Sequence, residues 1–265
     1  MNKIILIYIL ISGISLEING DESSDFPFEA IPRVINGRKA GWGEFPFQIG
    51  LYNHQGFSCG GSIITVNGKQ LILTAAHCID KKLDPRFYHV TAGNLFRNTK
   101  ESTQQWRQVV KFAVHKDYNK DKGHINDIAL LRLHKPFAVN YYVSPVSLPP
   151  RGEKIGITAV VSGWGITNVI DPTSNALLTA TITVWPDSIC SAAVPFYDPS
   201  AMLCAGSYRG SCKGDSGGPL LDKKTNQLAG VVSYGVEFCT KPNKPGFYVR
   251  VSSYIDWIEE QARDL

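Results

Sequence analysis

Trp106-Arg107-Gln108-Val109-Val110-Lys111-Phe112-Ala113-Val114 and, after a polar interval, Ile128-Ala129-Leu130-Leu131-Arg132-Leu133 carry the pattern from which the fold is read. Both runs are short and rich in β-branched and aromatic residues, and Asn119, Gly123, Asn126 and Asp127 punctuate the interval between them. Such runs read as strands. Similar runs occur at Ser62 to Val66, Gln70 to Leu73, Thr158 to Ser162, Ala180 to Val184, Leu228 to Ser233 and Gly246 to Val251, separated by Gly, Asn, Asp and Pro. This spacing predicts an antiparallel all-β sandwich or barrel. One segment differs: after Ser252-Ser253, Tyr254 to Ala262 places Ile255, Ile258 and Trp257 on a stripe with acids opposite, which predicts a C-terminal amphipathic helix.

The chain has 265 residues, of which 43% are apolar and 19% charged, enough to bury a large core and too apolar for disorder. Its six cysteines are dispersed without a C-x-x-C pair, so they predict disulfides rather than a zinc module. The net charge is +4, and the basic residues are spread along the chain, so no nucleic-acid partner is expected.

Lys3, the apolar run Ile4 to Ile11 and the small residues Ser12, Gly13 and Ser15 form a secretory signal peptide over residues 1–15. The apolar run is far shorter than the roughly 20 residues of a spanning helix, so no membrane association is expected. Residues 16–33 are acidic and aperiodic, contain glycine and serine, and cannot bury a core; they read as a removable propeptide.

Three motifs carry chemistry. Serine attacks a carbonyl only with a base in reach, a third group to orient the base, and donors facing the developing oxyanion. Thr74-Ala75-Ala76-His77-Cys78 supplies a histidine, Asn126-Asp127-Ile128-Ala129-Leu130-Leu131 an acid, and Gly214-Asp215-Ser216-Gly217-Gly218-Pro219 a serine in a glycine-rich turn. Singly, a packed histidine, a strand-capping aspartate and a plain turn would account for them. Together and in this order, they resemble the chymotrypsin and trypsin family of serine endopeptidases, from Arg33 to the C-terminus.

That resemblance implies two packed six-stranded antiparallel β-barrels with a C-terminal α-helix, the first barrel over 34–145 and the second, with the helix, over 146–265. It assigns Ser216 as nucleophile, His77 as base and Asp127 as the group that orients it. Gly214 and Ser216 would form the oxyanion hole, and Ser233, Tyr234 and Gly235 the strand that pairs with substrate, with the Ser233 hydroxyl supporting Asp127. Arg33-Val34-Ile35-Asn36-Gly37 resembles the family's activation site, where a trypsin-like enzyme would cut after Arg33 and the amine of Val34 would pair with Asp215. The implied disulfides are Cys59–Cys78, Cys190–Cys204 and Cys212–Cys239.

In the family, an aspartate six residues before the nucleophile selects Arg or Lys; here that residue is Gly210. Gly210 and Ser211, with Gly235 and Gly246 on the walls, imply an open uncharged pocket and cleavage after large apolar residues. Lys213 is expected at the cleft rim and Glu237 near the pocket mouth. The stretch from about Asn94 to Gln105, where some relatives bind calcium, has Glu101 as its single acid, so no metal or cofactor is expected. Protein or peptide substrates, an activating protease and protein inhibitors are the implied partners of a monomeric secreted enzyme. An elastase- or collagenase-like enzyme shares these motifs and differs in pocket and loops. A non-catalytic homologue acting as a binding factor would show a replaced triad residue, and none is replaced.

Overall fold

The computed structural model describes residues 37–165, 174–206, 211, 214–235 and 245–265. Its strands are β1 (Arg38–Lys39), β2 (Gln48–Asn53), β3 (Gly56–Val66), β4 (Lys69–Thr74), β5 (His89–Ala92), β6 (Gln105–Val114), β7 (Ala129–Leu133), β8 (Thr158–Gly163), β9 (Leu178–Val184), β10 (Met202–Gly206), β11 (Pro219–Asp222), β12 (Leu228–Gly235) and β13 (Gly246–Arg250). Two short helices accompany them, α1 (Asp187–Ala193) and α2 (Ile255–Asp264). The chain closes twice into antiparallel six-stranded barrels: β2-β3-β4-β7-β6-β5, sealed by the β2–β5 pair, and β9-β10-β13-β12-β11-β8, sealed by the β8–β9 pair. Closure leaves none of the twelve barrel strands at a free edge, and β1 is added outside the second ring against β9.

Alternation along the second barrel explains why its runs are continuously apolar. Leu203, Leu220, Val232 and Tyr248 point into the barrel interior. Their neighbours Met202, Leu221, Val231 and Val249 join the large cluster that contains the first barrel's Ile49, Ile63, Leu73 and Leu130. Side chains of period two therefore bury both faces of these strands, each large apolar one contributing about 1.5–3 kcal/mol. A polar contact crosses the same seam: the Ser162 hydroxyl of β8 donates to Gln48 Oε1 of β2 at 2.7 Å, both residues being buried.

The two halves also exchange their end pieces. β1 lies in the stretch assigned to the first barrel but pairs with β9 of the second. α2, which follows the second barrel, docks on the first: Lys69 Nζ donates to the carbonyls of Ala262 and Arg263, Lys111 Nζ to that of Asp264, and Arg132 to that of Leu265. These cations occupy the carbonyls that a helix C-terminus leaves without partners. Disulfides Cys59–Cys78 and Cys190–Cys204 are formed, closing separations of 19 and 14 residues, a constraint worth about 3 kcal/mol each.

The expected strands all form, with ends displaced by a few residues, and the C-terminal helix runs two residues beyond Ala262. Five strands and α1 were not anticipated. β2 carries Gln48 and Gly50, β10 carries Met, Cys, Ala and Gly, and β11 opens on a proline; β1 and β5 have two and four residues. The pairing of β2, β10 and β11 is imposed by closure of the barrels against local preference, while β1 and β5 are too short to read as runs.

Two packed histidines give the fold a pH dependence. His89 stacks on Tyr52 at 4.9 Å and tilts against Trp106, and His115 lies against Tyr254 and Trp257. Burial pushes both imidazoles below the ordinary value of 6.5; at His115 the smaller pull of Asp117 opposes this and Lys116 and Lys81 add to it. Between the depressed folded values and 6.5 the unfolded chain binds more protons, so stability rises with pH there. The Ser216→Ala protein should keep a constant melting temperature above about pH 6.5 and lose stability as pH falls below it. A flat profile from pH 7 to 5 would contradict this account.

Candidate active site

β4 ends at Thr74, and the chain turns through a single 3-10 turn at Ala76–Cys78 that carries His77. The Cys59–Cys78 disulfide pins that turn to β3. Asp127 stands two residues before β7, after Gly123, His124 and Asn126, all with positive φ. Asn126 is tied on both sides, donating from Nδ2 to the Asp117 carbonyl at 3.1 Å and accepting the Tyr254 hydroxyl on Oδ1 at 2.8 Å. The residue leading into α2 thus braces the loop that delivers Asp127.

Asp127 is fully buried, and three donors converge on its carboxylate. His77 N–H donates to Oδ1 at 2.8 Å, His77 Nδ1 lies 2.7 Å from Oδ2, and the Ser233 hydroxyl donates to Oδ2 at 2.5 Å. A carboxylate oxygen accepts, so His77 carries its proton on Nδ1 and keeps the Nε2 lone pair free to act as a base. Ser233 reaches Asp127 through a β-bulge: Val232 pairs with Tyr248 and Tyr234 with Phe247, which leaves Ser233 without a partner on β13. Such an extra residue re-aims its side chain out of the ladder.

The Ser216 turn is held against the first barrel by its backbone. Gly60 N–H donates to the Ser216 carbonyl at 2.8 Å, and Thr74, three residues before His77, donates through its hydroxyl to the Gly60 carbonyl at 2.9 Å. Gly217 has φ 76, and a Cβ there would stand 2.2 Å from Thr74 Oγ1. Both features exclude a side chain. Gly217 and Gly218 exchange hydrogen bonds with Val232, locking the turn to the strand that carries Ser233. Gly214, at φ 95, adopts a backbone that L residues avoid and that sets the direction of its N–H.

Asp215 is buried beneath this turn and accepts the Gly165 N–H at 2.8 Å. A Cβ on Gly163 or Gly165 would lie 2.0 or 2.4 Å from its carboxylate oxygens, so Ser162-Gly163-Trp164-Gly165 is shaped to hold it. Ser211 Oγ and Tyr248 OH are 3.1 Å apart, with Gly246 facing both. Burial pushes the Tyr248 hydroxyl up to about 12, so the pair is uncharged. No heavy atom among those described lies within 4 Å of a Cβ built on Gly235.

Two participants escaped the sequence. Tyr248 read as an ordinary strand residue of β13. His124 is the other: its Nδ1 lies 3.9 Å from Asp127 Oδ2 and 3.1 Å from the Tyr118 hydroxyl, while its ring stacks on Tyr234 at 5.2 Å. Burial pushes its imidazole below the ordinary value; the Asp127 charge opposes this, and His77 and Lys120 add to it. Tyr234 is pushed up to about 12 by burial. No local pattern marks His124, because two of its partners, His77 and Tyr234, come from distant segments.

Arg33, Val34, Gly210, Cys212, Lys213, Glu237 and Cys239 lie outside the described residues. In the 94–105 loop, Glu101 Oε2 accepts the backbone N–H of Leu95 at 2.7 Å and of Phe96 at 3.2 Å, so its carboxylate ties down the loop.

Comparison with known proteins agrees with this arrangement. The family model described as Trypsin matches residues 34–258. Trypsin-1 of Astacus astacus is 35% identical over 243 residues, 86% of this chain and all of that protein. Kallikrein-14 of Homo sapiens is 35% identical over 238 residues, covering 88% and 85% of the two chains. The solved structure of neuropsin, a serine protease expressed in the limbic system of mouse brain, shares the fold with a TM-score of 0.75 and 32% identity, over 85% of this chain and 98% of that one. A double barrel with a buried carboxylate bound to a histidine, and relatives alike along most of their length, place this chain in the trypsin family, as a serine endopeptidase acting on proteins.

Proposed function

We propose that this chain is the secreted precursor of a chymotrypsin-like endopeptidase in which Ser216 is the nucleophile, His77 the proton carrier and Asp127 its orienting partner. The convergence of His77 and Ser233 on the buried Asp127 carboxylate carries the reading. Ser216 Oγ attacks the carbonyl carbon while His77 Nε2 takes its proton; the Gly214 and Ser216 N–H groups receive the oxyanion. Each such donor is worth about 100- to 1000-fold in rate. His77 returns the proton to the leaving amine, and water then cleaves the acyl-enzyme by the same route.

Residues 1–15 direct secretion and 16–33 keep the enzyme inert until a trypsin-like protease cuts after Arg33. The new Val34 amine then pairs with Asp215, whose burial between Gly163 and Gly165 supports such a role. Extracellular use suits the disulfides, and protein inhibitors would fill the substrate cleft of the monomer. Gly210 in place of an aspartate, with the neutral Ser211–Tyr248 pair, favours large apolar side chains despite the name Trypsin-1 of one relative.

After tryptic treatment, the recombinant chain should cut Phe and Leu substrates at least tenfold faster than Arg or Ala ones. The Arg33→Gln chain should stay inert under the same treatment. Dominant cleavage after Arg overturns the specificity, and full activity of uncut Arg33→Gln overturns the activation step.

A further inference from the structure

We infer that Tyr254 is a positioning residue of the reaction: its hydroxyl, carried on the docked helix α2, fixes the backbone that aims the Asp127 carboxylate at His77. The inference rests on the assignment of Asp127 as the orienting partner of His77. Asn126, the residue before Asp127, stands at φ 59, in the left-handed region. A side-chain-bearing residue keeps such a conformation only where its surroundings over-determine it. Three hydrogen bonds do so here. Asn126 Nδ2 donates to the Asp117 carbonyl at 3.1 Å, the Asn126 carbonyl accepts the Ile128 N–H at 2.8 Å, and Oδ1 accepts the Tyr254 hydroxyl at 2.8 Å. The first two lie within the loop itself, so they can move with it. The third comes from a residue 128 positions away and ties the loop to a separate part of the fold.

Tyr254 is a fixed point. It is buried, and burial pushes its hydroxyl up, with Asp198 adding a smaller push the same way, so it remains a donor. Its ring meets His115 edge to face at 5.7 Å, and His115 tilts against Trp257 of α2 at 5.3 Å. His115 also donates its backbone N–H to the Ile128 carbonyl at 3.1 Å, so the ring that steadies Tyr254 is tied to the residue after Asp127. Ile255, Ile258, Ala262 and Leu265 sink into the large core cluster, and Lys69, Lys111 and Arg132 grip the far end of the helix. α2 therefore cannot follow the loop if Asn126 relaxes.

The demand on Asp127 makes this anchor matter. Its Oδ1 must meet the His77 N–H while Oδ2 meets His77 Nδ1, at 2.8 and 2.7 Å, so one carboxylate has to satisfy two donors fixed on another loop. A backbone free to rotate at Asn126 turns the carboxylate and spoils one bond to keep the other. The barrel itself does not depend on the anchor, because β7 is held by β4 and β6.

The test uses the full chain after tryptic treatment, with kcat and KM measured well below the melting temperature of every variant and expressed per site titrated by an irreversible serine reagent. Tyr254→Phe keeps the ring and removes the hydroxyl; kcat should fall about tenfold with KM changed less than about twofold. Asn126→Gly tolerates the same backbone and removes the acceptor, so it reads the bond from the other side. It should lower kcat to a similar extent, and adding Tyr254→Phe to it should cost less than about twofold more. A wild-type kcat in Tyr254→Phe, a loss confined to KM, or the same loss with and without the Asn126 side chain overturns the proposal. Wild-type activity in Asp127→Asn would instead overturn the assignment on which it rests; with Asp127→Asn inactive, the Tyr254→Phe result bears on the anchor alone.

Discussion

Ser216→Ala is expected to lower kcat about a millionfold while leaving the folded structure and its melting temperature unchanged. The size of the effect comes from the interdependence of the parts. Without Oγ, neither the Nε2 lone pair of His77 nor the carboxylate that orients it has a proton to move, so both lose their value at once. The remaining rate would come from substrate binding and oxyanion stabilisation, about 1000- to 10,000-fold above water. The turn itself should survive, because Gly60, Thr74 and Val232 hold its backbone and not the hydroxyl. Burst and steady-state kinetics with a chromogenic amide measure the change; a loss below a hundredfold would show that Ser216 is not the nucleophile.

Asp127→Asn should cost about ten-thousandfold in kcat with much smaller changes in KM. The carboxylate accepts three donors: the His77 N–H, the proton on His77 Nδ1, and the Ser233 hydroxyl. An amide offers one acceptor oxygen and one donor nitrogen. If the oxygen keeps the backbone N–H, the nitrogen faces His77 Nδ1, which then accepts, and the ring proton shifts to Nε2. The base is disabled although every heavy atom keeps its place. Ser233→Ala in the same background should add little, because the network has already lost its function. A loss under tenfold for Asp127→Asn would exclude the orienting role.

Much of this was legible in the chain because it is local. Short β-branched runs between turn residues are strands whatever they pair with, and the glycines at 214, 217 and 218 declare a turn, which is too tight for side chains at 217 and 218 and has a positive φ at 214. The motif order His77, Asp127, Ser216 carries chemistry because each type is needed and each stands in a distinctive local setting. His124 has no such setting. It looks like any loop histidine until β12 brings Tyr234 beneath it and the αL turn swings it over Asp127. Tyr248 is equally silent, since its hydroxyl acquires meaning only when Ser211 lies 3.1 Å away.

The sequence alone thus determined the β architecture, the kinds of reactive side chain, and the glycines that bend the chain around Ser216; these depend on neighbours a few residues apart. Tertiary structure decided which strands close each barrel, that α2 crosses to the first barrel, and that a bulge at Ser233 completes the Asp127 network. Those outcomes follow from burying both faces of β10 to β13 at once, a condition on the whole molecule that no single segment contains.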